Sequence, residues 1–180
     1  MKAVLISVQP KWCKLIRTLL GYENRRPLYK KRLDLRKSAP KPPFKAYIYE
    51  TQGRTETPWI DEDGHEIFKG RGQVIGEFIC DYVVRHCEMA NADLAEEMSC
   101  VSREDILKYS NGKEVVGWHI SDLVIYDEPK MLGEFNKYKR TEDDCKYSHL
   151  GYAIPKCEYC HGCQLTRPPQ SWCYVEEVGR

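Results

Sequence analysis

The chain has 180 residues, of which 42% are hydrophobic and 31% charged, and its net charge at pH 7 is +1. This length and apolar content predict one globular domain over 1–180 with its own core. No apolar run approaches the roughly 18 residues of a membrane span, and the N-terminal run is too short for a signal peptide. We therefore expect a cytoplasmic protein without a membrane partner.

The small net charge conceals a strong division along the chain. Residues 1–45 contain thirteen lysines and arginines against two acidic residues, a net charge of +11, whereas residues 46–180 carry −10. Either the two parts neutralise each other in the fold, or the basic part forms a face for a phosphate-bearing ligand. Charge alone favours neither interpretation.

The N-terminal part predicts a strand, a helix and two further strands. The first strand covers 2–8, and Pro10 opens an amphipathic helix that we expect to end before Gly21. The alternating segment 33–36 and the segment 45–50 predict the next two strands.

The middle of the chain predicts an excursion from the sheet and then two long strands. Residues 51–72 are rich in Gly, Asp and charged residues and predict a β-hairpin with its turn at Asp63–Gly64. The apolar segment 74–84 is the most strand-like, and 118–126 predicts another strand. Between them, Ser102 begins a pattern typical of a helical capping box.

The C-terminal part predicts one helical turn, an irregular segment and a closing strand. The turn covers 129–135, the irregular cysteine-rich segment 136–168, and the strand 171–177. In total we expect about six strands and two or three short helices. This count predicts an α+β domain around a small, strongly bent sheet or barrel.

Five stretches, taken in their order along the chain, indicate a family: LISVQPKWCKLI, LDLRKSAPKPPFKAYIYETQGR, GQVIGEFICD, GWHISDLVIYDEPK and LTRPPQSWCYVEE. Together they resemble the ASCH domain family in its bacterial and phage branch, over a region from Lys2 to Glu177. The resemblance implies a PUA-like β-barrel of about six strands with a cleft that faces the first helix. Two or three short helices and a cysteine-rich C-terminal insertion complete the expected fold.

The resemblance also implies functions. PUA-like domains mostly bind RNA, often at modified or flipped-out bases. One small ASCH branch is an amidohydrolase that deacylates N4-acylated cytidine with a Lys, a Thr and a Glu. A third possibility is a phage or bacterial accessory domain whose basic face meets an acidic protein. No organic cofactor is expected.

A motif near the first helix resembles the family signature G-x-K-x-x-E-x-R. It places Lys31, Asp34 and Arg36 at the last three defined positions. Tyr29 replaces the glycine, Asp34 stands where the hydrolase branch has Thr, and the preceding join is longer by about ten residues, 21–30. These departures weaken any transfer of catalysis.

Acidic partners for Lys31 come from two other segments. Glu96 or Glu97 is nearest to the position of the hydrolase glutamate. Glu77, beside Gly76, is a second candidate that either points into the cleft or faces outward from an ordinary strand. The catalytic candidates are thus Lys31, Asp34, Glu77 and Glu97.

Basic residues surround Lys31, and this arrangement has three interpretations. Neighbouring cations would lower the pKa of a catalytic lysine, yet Lys31, Arg36 and Lys37 also match a phosphate-contacting loop, or a solvated strand edge. The accompanying aromatic residues are Trp12, Tyr29, Phe44, Tyr47, Tyr49, Trp59 and Trp118. We expect most of these rings in the core, and Trp118 and Trp172 are the candidates for stacking a base.

The cysteine-rich segment predicts either a zinc site or free thiols. Cys157, Cys160 and Cys163 have the two-residue gaps typical of zinc ligands, and Cys145 is the candidate fourth ligand, with His149 and His161 as substitutes. A structural zinc ion would order the irregular segment and contribute little to catalysis.

Overall fold

A computed structural model describes residues 2–17, 31–60, 66–85, 92–138 and 164–179. Its strands are β1 (Lys2–Val8), β2 (Leu33–Arg36), β3 (Phe44–Glu50), β4 (Arg54–Ile60), β5 (Glu66–Lys69), β6 (Val74–Cys80), β7 (Val83–Arg85), β8 (Val116–His119), β9 (Ser121–Lys130) and β10 (Trp172–Glu176). Its helices are α1 (Pro10–Arg17), α2 (Ala92–Ser99) and α3 (Arg103–Ser110), with a 3-10 turn at Leu132–Glu134.

The main sheet of the described region has the strand order β10-β1-β3-β6-β9. Strand β1 pairs in parallel with β3 and antiparallel with β10, so that Val4 lies between Ala46 and Tyr174. Each face of this sheet carries a buried cluster. The first cluster contains Ile16 of α1 and Trp118 of β8, and the second contains Tyr47 and Phe135.

A smaller sheet, β2-β8-β7, packs against the first cluster. The predicted strand 74–84 is therefore two strands, because the chain leaves the main sheet after Cys80 and enters the smaller sheet at Val83. The Asp81 carboxylate accepts a hydrogen bond from the Tyr82 backbone N–H at this corner. The predicted strand 118–126 divides in the same way at Ile120.

The sheets of the described residues remain separate and do not close into a barrel. The α+β class predicted from the sequence is confirmed, whereas the predicted barrel is not. Strands β4 and β5 pair antiparallel as a two-stranded sheet, with Trp59 opposite Ile67. The expected turn at Asp63–Gly64 and most of the cysteine-rich segment lie outside the described residues.

Helix α3 begins where the Ser102 signal predicts. The Ser102 Oγ accepts a hydrogen bond from the Asp105 N–H at 3.2 Å, which satisfies a backbone donor of the first turn. Asn111 ends the helix in the left-handed region, at φ 48°. None of the helices in the described ranges has the length and apolar character to cross a membrane.

Candidate functional site

A cleft of about 480 Å³ opens between the end of β1, helix α1, strand β2 and helix α3. We call it the Lys31 cleft. The lining residues that matter here are Lys11, Trp12, Lys31, Asp34, Arg36 and Tyr109. Asp34 and Arg36 are two residues apart on β2 and share a face, while Lys31 lies just before that strand. The structure thus brings the three signature residues together.

Lys31 lies at the floor of the cleft, and its side chain is only 2% exposed. Its ammonium donates a hydrogen bond to the Ser99 carbonyl at 3.0 Å and lies 3.7 Å from Asp34 Oδ1. Burial lowers the pKa of Lys31 below its usual range, because the charged form loses hydration, and the attraction of Asp34 offsets this only in part. Lys31 is therefore a buried amine with weakened affinity for its proton.

Arg36 is held by four hydrogen bonds. Its Nε–H donates to Asp34 Oδ2 at 2.6 Å, and its two other nitrogens donate to Ser171 and to the Ser7 carbonyl. These bonds join β2 to the end of β1 and to the residue before β10. The guanidinium is thus engaged within the protein, and Arg36 supports the cleft.

Aromatic rings that line the cleft lie beside exposed ammonium groups. The Trp12 ring is half-buried and has the Lys11 and Lys31 Nζ atoms at 4.3 and 5.1 Å from its centroid. Lys37 is exposed and its Nζ lies 5.3 Å above the Tyr109 ring, which is 41% exposed. An aromatic face beside cations is typical of sites that bind bases and phosphates.

Trp118 and Trp172, the predicted stacking residues, contribute to packing. Trp118 is 0% exposed, and its ring contacts Phe44 and Trp172 edge to face. The indole N–H of Trp118 donates to the Ser38 carbonyl, and that of Trp172 to the Ser38 hydroxyl. Trp118 is a core residue that offers no ring face to a ligand, whereas Trp172 is half-buried.

Glu77 lies apart from the Lys31 cleft. It pairs with Tyr47 across β3 and β6, on the face of the main sheet that carries the second cluster. The Tyr126 hydroxyl donates to Glu77 at 2.7 Å, and the Lys45 ammonium lies 3.4 Å from it. Glu77 and Lys45 line a different cavity, of about 420 Å³. The period of two along β6 therefore separates Glu77 from Lys31.

Glu97 and the cysteines complete the set of predicted residues. Glu97 is exposed on α2 and is not among the described residues that line the Lys31 cleft. Within the described ranges no group of three His, Cys, Asp or Glu residues is placed to hold a metal ion. The expected zinc ligands, Cys145, Cys157, Cys160 and Cys163, lie outside those ranges.

Lys11 and Tyr109 line the cleft, and no motif in the sequence marks them as cleft residues. The sequence marks Trp12 only as one of several aromatic residues that accompany the basic segment. The apolar spacing of α1 placed Trp12 on its core-facing side, and nothing in the pattern indicates that this side borders a cleft. Tyr109 belongs to α3, which begins 86 residues after the end of α1.

The comparisons with known proteins support one fold. No family model and no curated protein sequence matches the chain. The structure of ASCH from Zymomonas mobilis is similar, with a TM-score of 0.53 and 16% identity over 97% of this chain and 88% of that one. Two variants of that protein are similar as well. A tyrosine-to-phenylalanine variant has a TM-score of 0.51, 16% identity and coverage of 98% and 92%. A serine-to-alanine variant has a TM-score of 0.50 and 14% identity over 97% of this chain and 89% of that one.

Proposed function

We propose that this chain, which has the ASCH domain fold, binds RNA or a nucleotide-like ligand in the Lys31 cleft. One observation carries the proposal: the Trp12 ring borders a cleft of about 480 Å³ and has two lysine ammonium groups within 4.3 and 5.1 Å. This volume suits a small organic ligand. A ring beside cations suits a base with its phosphate.

Different residues would contact the base and the phosphate of the ligand. A base would stack on Trp12, while the exposed Lys11, which lines the cleft, and the exposed Lys37, which lies beside the lining residue Tyr109, would contact phosphate. At the floor, the Lys31 ammonium supplies N–H donors and Asp34 Oδ1 an acceptor, 3.7 Å apart. Such a donor and acceptor pair complements the edge of a base that carries both an amino group and a ring acceptor, as cytosine does.

Arg36 has a different part in this proposal from the one its position in the basic segment predicts. Because its donors reach Asp34, Ser7 and Ser171, we assign it to support of the cleft rather than to phosphate. The phosphate contacts pass to Lys11 and Lys37, whose exposed side chains can be changed without disturbing a buried ion pair.

Fluorescence anisotropy with labelled single-stranded RNA tests the proposal. We expect binding that weakens steeply with salt, since each neutralised phosphate releases counterions. The double variant Lys11→Ala/Lys37→Ala should bind about tenfold more weakly and show a shallower salt slope. Lys113→Ala is the matched control, because Lys113 is exposed and is not among the described residues that line the cleft.

Two results would contradict RNA binding. Absence of binding at low salt excludes it, and binding that survives both substitutions places it elsewhere on the protein. A chain that binds only an acidic protein partner would support the accessory interaction domain instead.

A second candidate function, amidohydrolysis, is favoured by the state of Lys31. Burial lowers its pKa, so a neutral amine is more accessible than in an ordinary lysine, and the Asp34 carboxylate lies 3.7 Å away. Neutral Lys31 could take a proton from the water that attacks an acyl carbonyl. It would return that proton to the departing amine, so that an acylated cytidine and water become a free acid and cytidine.

Incubation with N4-acetylcytidine tests this second function. A hydrolase should release acetate, and Lys31→Met should abolish the release while Lys113→Met, at an exposed lysine that is not among the described residues lining the cleft, leaves it unchanged. If wild-type protein releases no acetate, the cleft is a binding site without this activity.

A further inference from the structure

The pairing of β10 with β1 aligns aromatic and basic side chains on one face of the main sheet. Tyr174 lies opposite Val4 and Trp172 opposite Ile6, and Lys2 lies opposite the exposed Glu176 at the end of the same register. Directly paired residues point to the same side, so Trp172, Tyr174 and Lys2 follow one another along that face. We call these three residues, together with Tyr138, the β10 strip.

Tyr138 joins the strip through the edge of β10. Its backbone N–H donates to the Tyr174 carbonyl at 3.0 Å. The Lys2 ammonium lies 3.4 Å from the Tyr174 ring centroid and 5.4 Å from that of Tyr138. Lys2 is exposed and Tyr138 is 37% exposed, so a ligand can reach both.

The strip begins at the border of the Lys31 cleft. Ser171 lines that cleft and accepts a hydrogen bond from Arg36, and Trp172 is the next residue. The Trp172 indole also donates to Ser38, which follows the exposed Lys37, whose Nζ lies 5.3 Å from the ring of the cleft residue Tyr109. A chain that leaves the cleft beside Lys37 therefore meets Trp172 first.

Beyond that point, rings and cations continue along β10. The Trp172 and Tyr174 ring centroids are 5.3 Å apart, and Lys2 covers the Tyr174 ring. Surfaces that hold single-stranded nucleic acid combine aromatic rings for bases with cations for the backbone. A phosphate offers Lys2 a full negative charge, which is a stronger partner than a ring face.

We propose that the β10 strip binds the nucleotides that flank the one in the cleft. The preferred ligand is then single-stranded RNA several nucleotides long, rather than a free nucleotide. This inference rests on the proposed function, because it extends the occupant of the Lys31 cleft along an adjoining surface.

Binding of two probes separates the strip from the cleft. One is cytidine 5′-monophosphate, measured by calorimetry, and the other is a fluorescein-labelled ten-residue oligocytidine RNA, measured by anisotropy. We expect the oligonucleotide to bind wild-type protein at least about tenfold more tightly than the mononucleotide, since stacking and phosphate contacts add along the strand. Both probes should lose affinity in Lys11→Ala/Lys37→Ala.

Variants of the strip should affect only the longer probe. Lys2→Gln/Tyr138→Ser changes two exposed side chains and should weaken oligonucleotide binding about tenfold while the mononucleotide affinity stays unchanged. The matched control is Lys113→Gln/Tyr82→Ser, since Lys113 is exposed and Tyr82 is 42% exposed, and neither lies in the strip or lines the cleft among the described residues. Tyr174→Leu, checked for folding by circular dichroism, supplies a second test within the strip.

Each outcome decides between the two claims. Equal affinities for the two probes would overturn the proposal for the strip and leave the proposal for the cleft unchanged. Undiminished oligonucleotide binding by the strip variants would have the same consequence. If the control variant Lys113→Gln/Tyr82→Ser loses as much oligonucleotide affinity as the strip variant, the RNA is attracted to surface lysines in general, and this result would also overturn the strip proposal. If neither probe binds, the proposed function fails and the strip fails with it.

Discussion

Arg36 and Asp34 form a buried ion pair in which the guanidinium Nε–H donates to the carboxylate at 2.6 Å. Both side chains are about 7% exposed. The other Arg36 nitrogens donate to the backbone carbonyls of Ser7 and Ser171. One charged side chain therefore connects β2 with β1 and with the beginning of β10, beneath the proposed ligand.

Replacement of Arg36 should destabilise the fold. Arg36→Met leaves the buried Asp34 carboxylate without its closest cation and removes the Arg36 donors from the Ser7 and Ser171 carbonyls, of which Ser171 still accepts from the Ser7 backbone N–H at 2.9 Å. The expected loss in free energy of unfolding is about 3–5 kcal/mol, as is usual when one partner of a buried ion pair is removed. Urea unfolding monitored by circular dichroism measures it.

Lys37→Met is the control for this change. Lys37 is the next residue and is exposed, so its replacement should alter the free energy of unfolding by at most about 0.5 kcal/mol. Equal effects of the two substitutions would mean that the Arg36 bonds contribute little to stability.

Lys31 should make stability depend on pH in a defined direction. Burial lowers the Lys31 pKa in the folded protein, whereas the unfolded chain titrates near the usual value of about 10.4. Between these two values the unfolded chain binds more protons than the folded protein. The free energy of unfolding therefore rises with pH across that window, by at most about 1.4 kcal/mol per pH unit.

Comparison with Lys31→Met isolates this contribution. Urea unfolding of both proteins between pH 7 and 10 should show wild type gaining stability relative to the variant as the pH rises. Groups without electrostatic contact with Lys31, such as Cys80, contribute equally to both proteins and cancel in the difference, and introducing Cys100→Ser into both proteins removes the thiol that interacts with Lys31. Parallel curves would mean that Lys31 keeps an ordinary pKa in the folded state.

Cys80 should resist alkylation in the folded protein. Burial raises its pKa to about 12, and its thiol donates to the Tyr82 carbonyl at 3.2 Å. Only about one thiol in ten thousand would be ionised at pH 8, and the thiolate is the reactive form. Iodoacetamide followed by peptide mass spectrometry should modify Cys80 only after denaturation. The half-buried Cys100 is the internal comparison and should react sooner. Early labelling of Cys80 would contradict its burial.

Gly76 should not tolerate a side chain. A Cβ atom there would lie 2.4 Å from the Val124 carbonyl oxygen on the neighbouring strand β9. Gly76→Ala must therefore push two paired strands apart, and we expect a loss of about 2–3 kcal/mol in free energy of unfolding. Gly133→Ala is the control, since a Cβ there meets nothing within 4 Å. A thermal midpoint unchanged by Gly76→Ala would exclude this clash.

The zinc proposal predicts one metal ion per chain. Cys145, Cys157, Cys160 and Cys163 supply four thiolates with suitable spacing. Elemental analysis of protein purified without chelator should find one zinc equivalent, which Cys160→Ser should remove and Cys100→Ser should not. Protein without bound zinc under these conditions would favour free thiols.

Local sequence signals predicted most individual elements. The strand 2–8 and the start of α1 at Pro10 agree with the structure, and the Ser102 cap begins α3 as predicted. These features depend on residues within one or two turns of each other, so pattern and capping chemistry are sufficient to predict them. The ASCH resemblance agreed with the structural comparison for the same reason, because several such segments occur in the expected order.

Strand partners and strand faces required the tertiary structure. The segments 74–84 and 118–126 contain no proline and only polar residues such as Asp81 and Asp122 near the point of division. Each nevertheless passes from one sheet to the other, because pairing with distant strands decides where a strand ends. Whether Glu77 joins Lys31 depended on which face of the main sheet borders the cleft. The face that borders the cleft is the one that packs against α1 and the smaller sheet.

Lys31, Asp34 and Arg36 occupy one strand and its approach at spacings of three and two residues, and this local spacing is enough to place them together. The role open to each residue depends on partners from other parts of the fold. Arg36 is engaged by carbonyls from β1 and the β10 border, and Lys31 loses its hydration beneath α2. The burial and the hydrogen-bond partners of these residues come from segments far apart in the chain. Charge and spacing alone therefore do not distinguish a residue that supports the cleft, such as Arg36, from one that contacts the ligand.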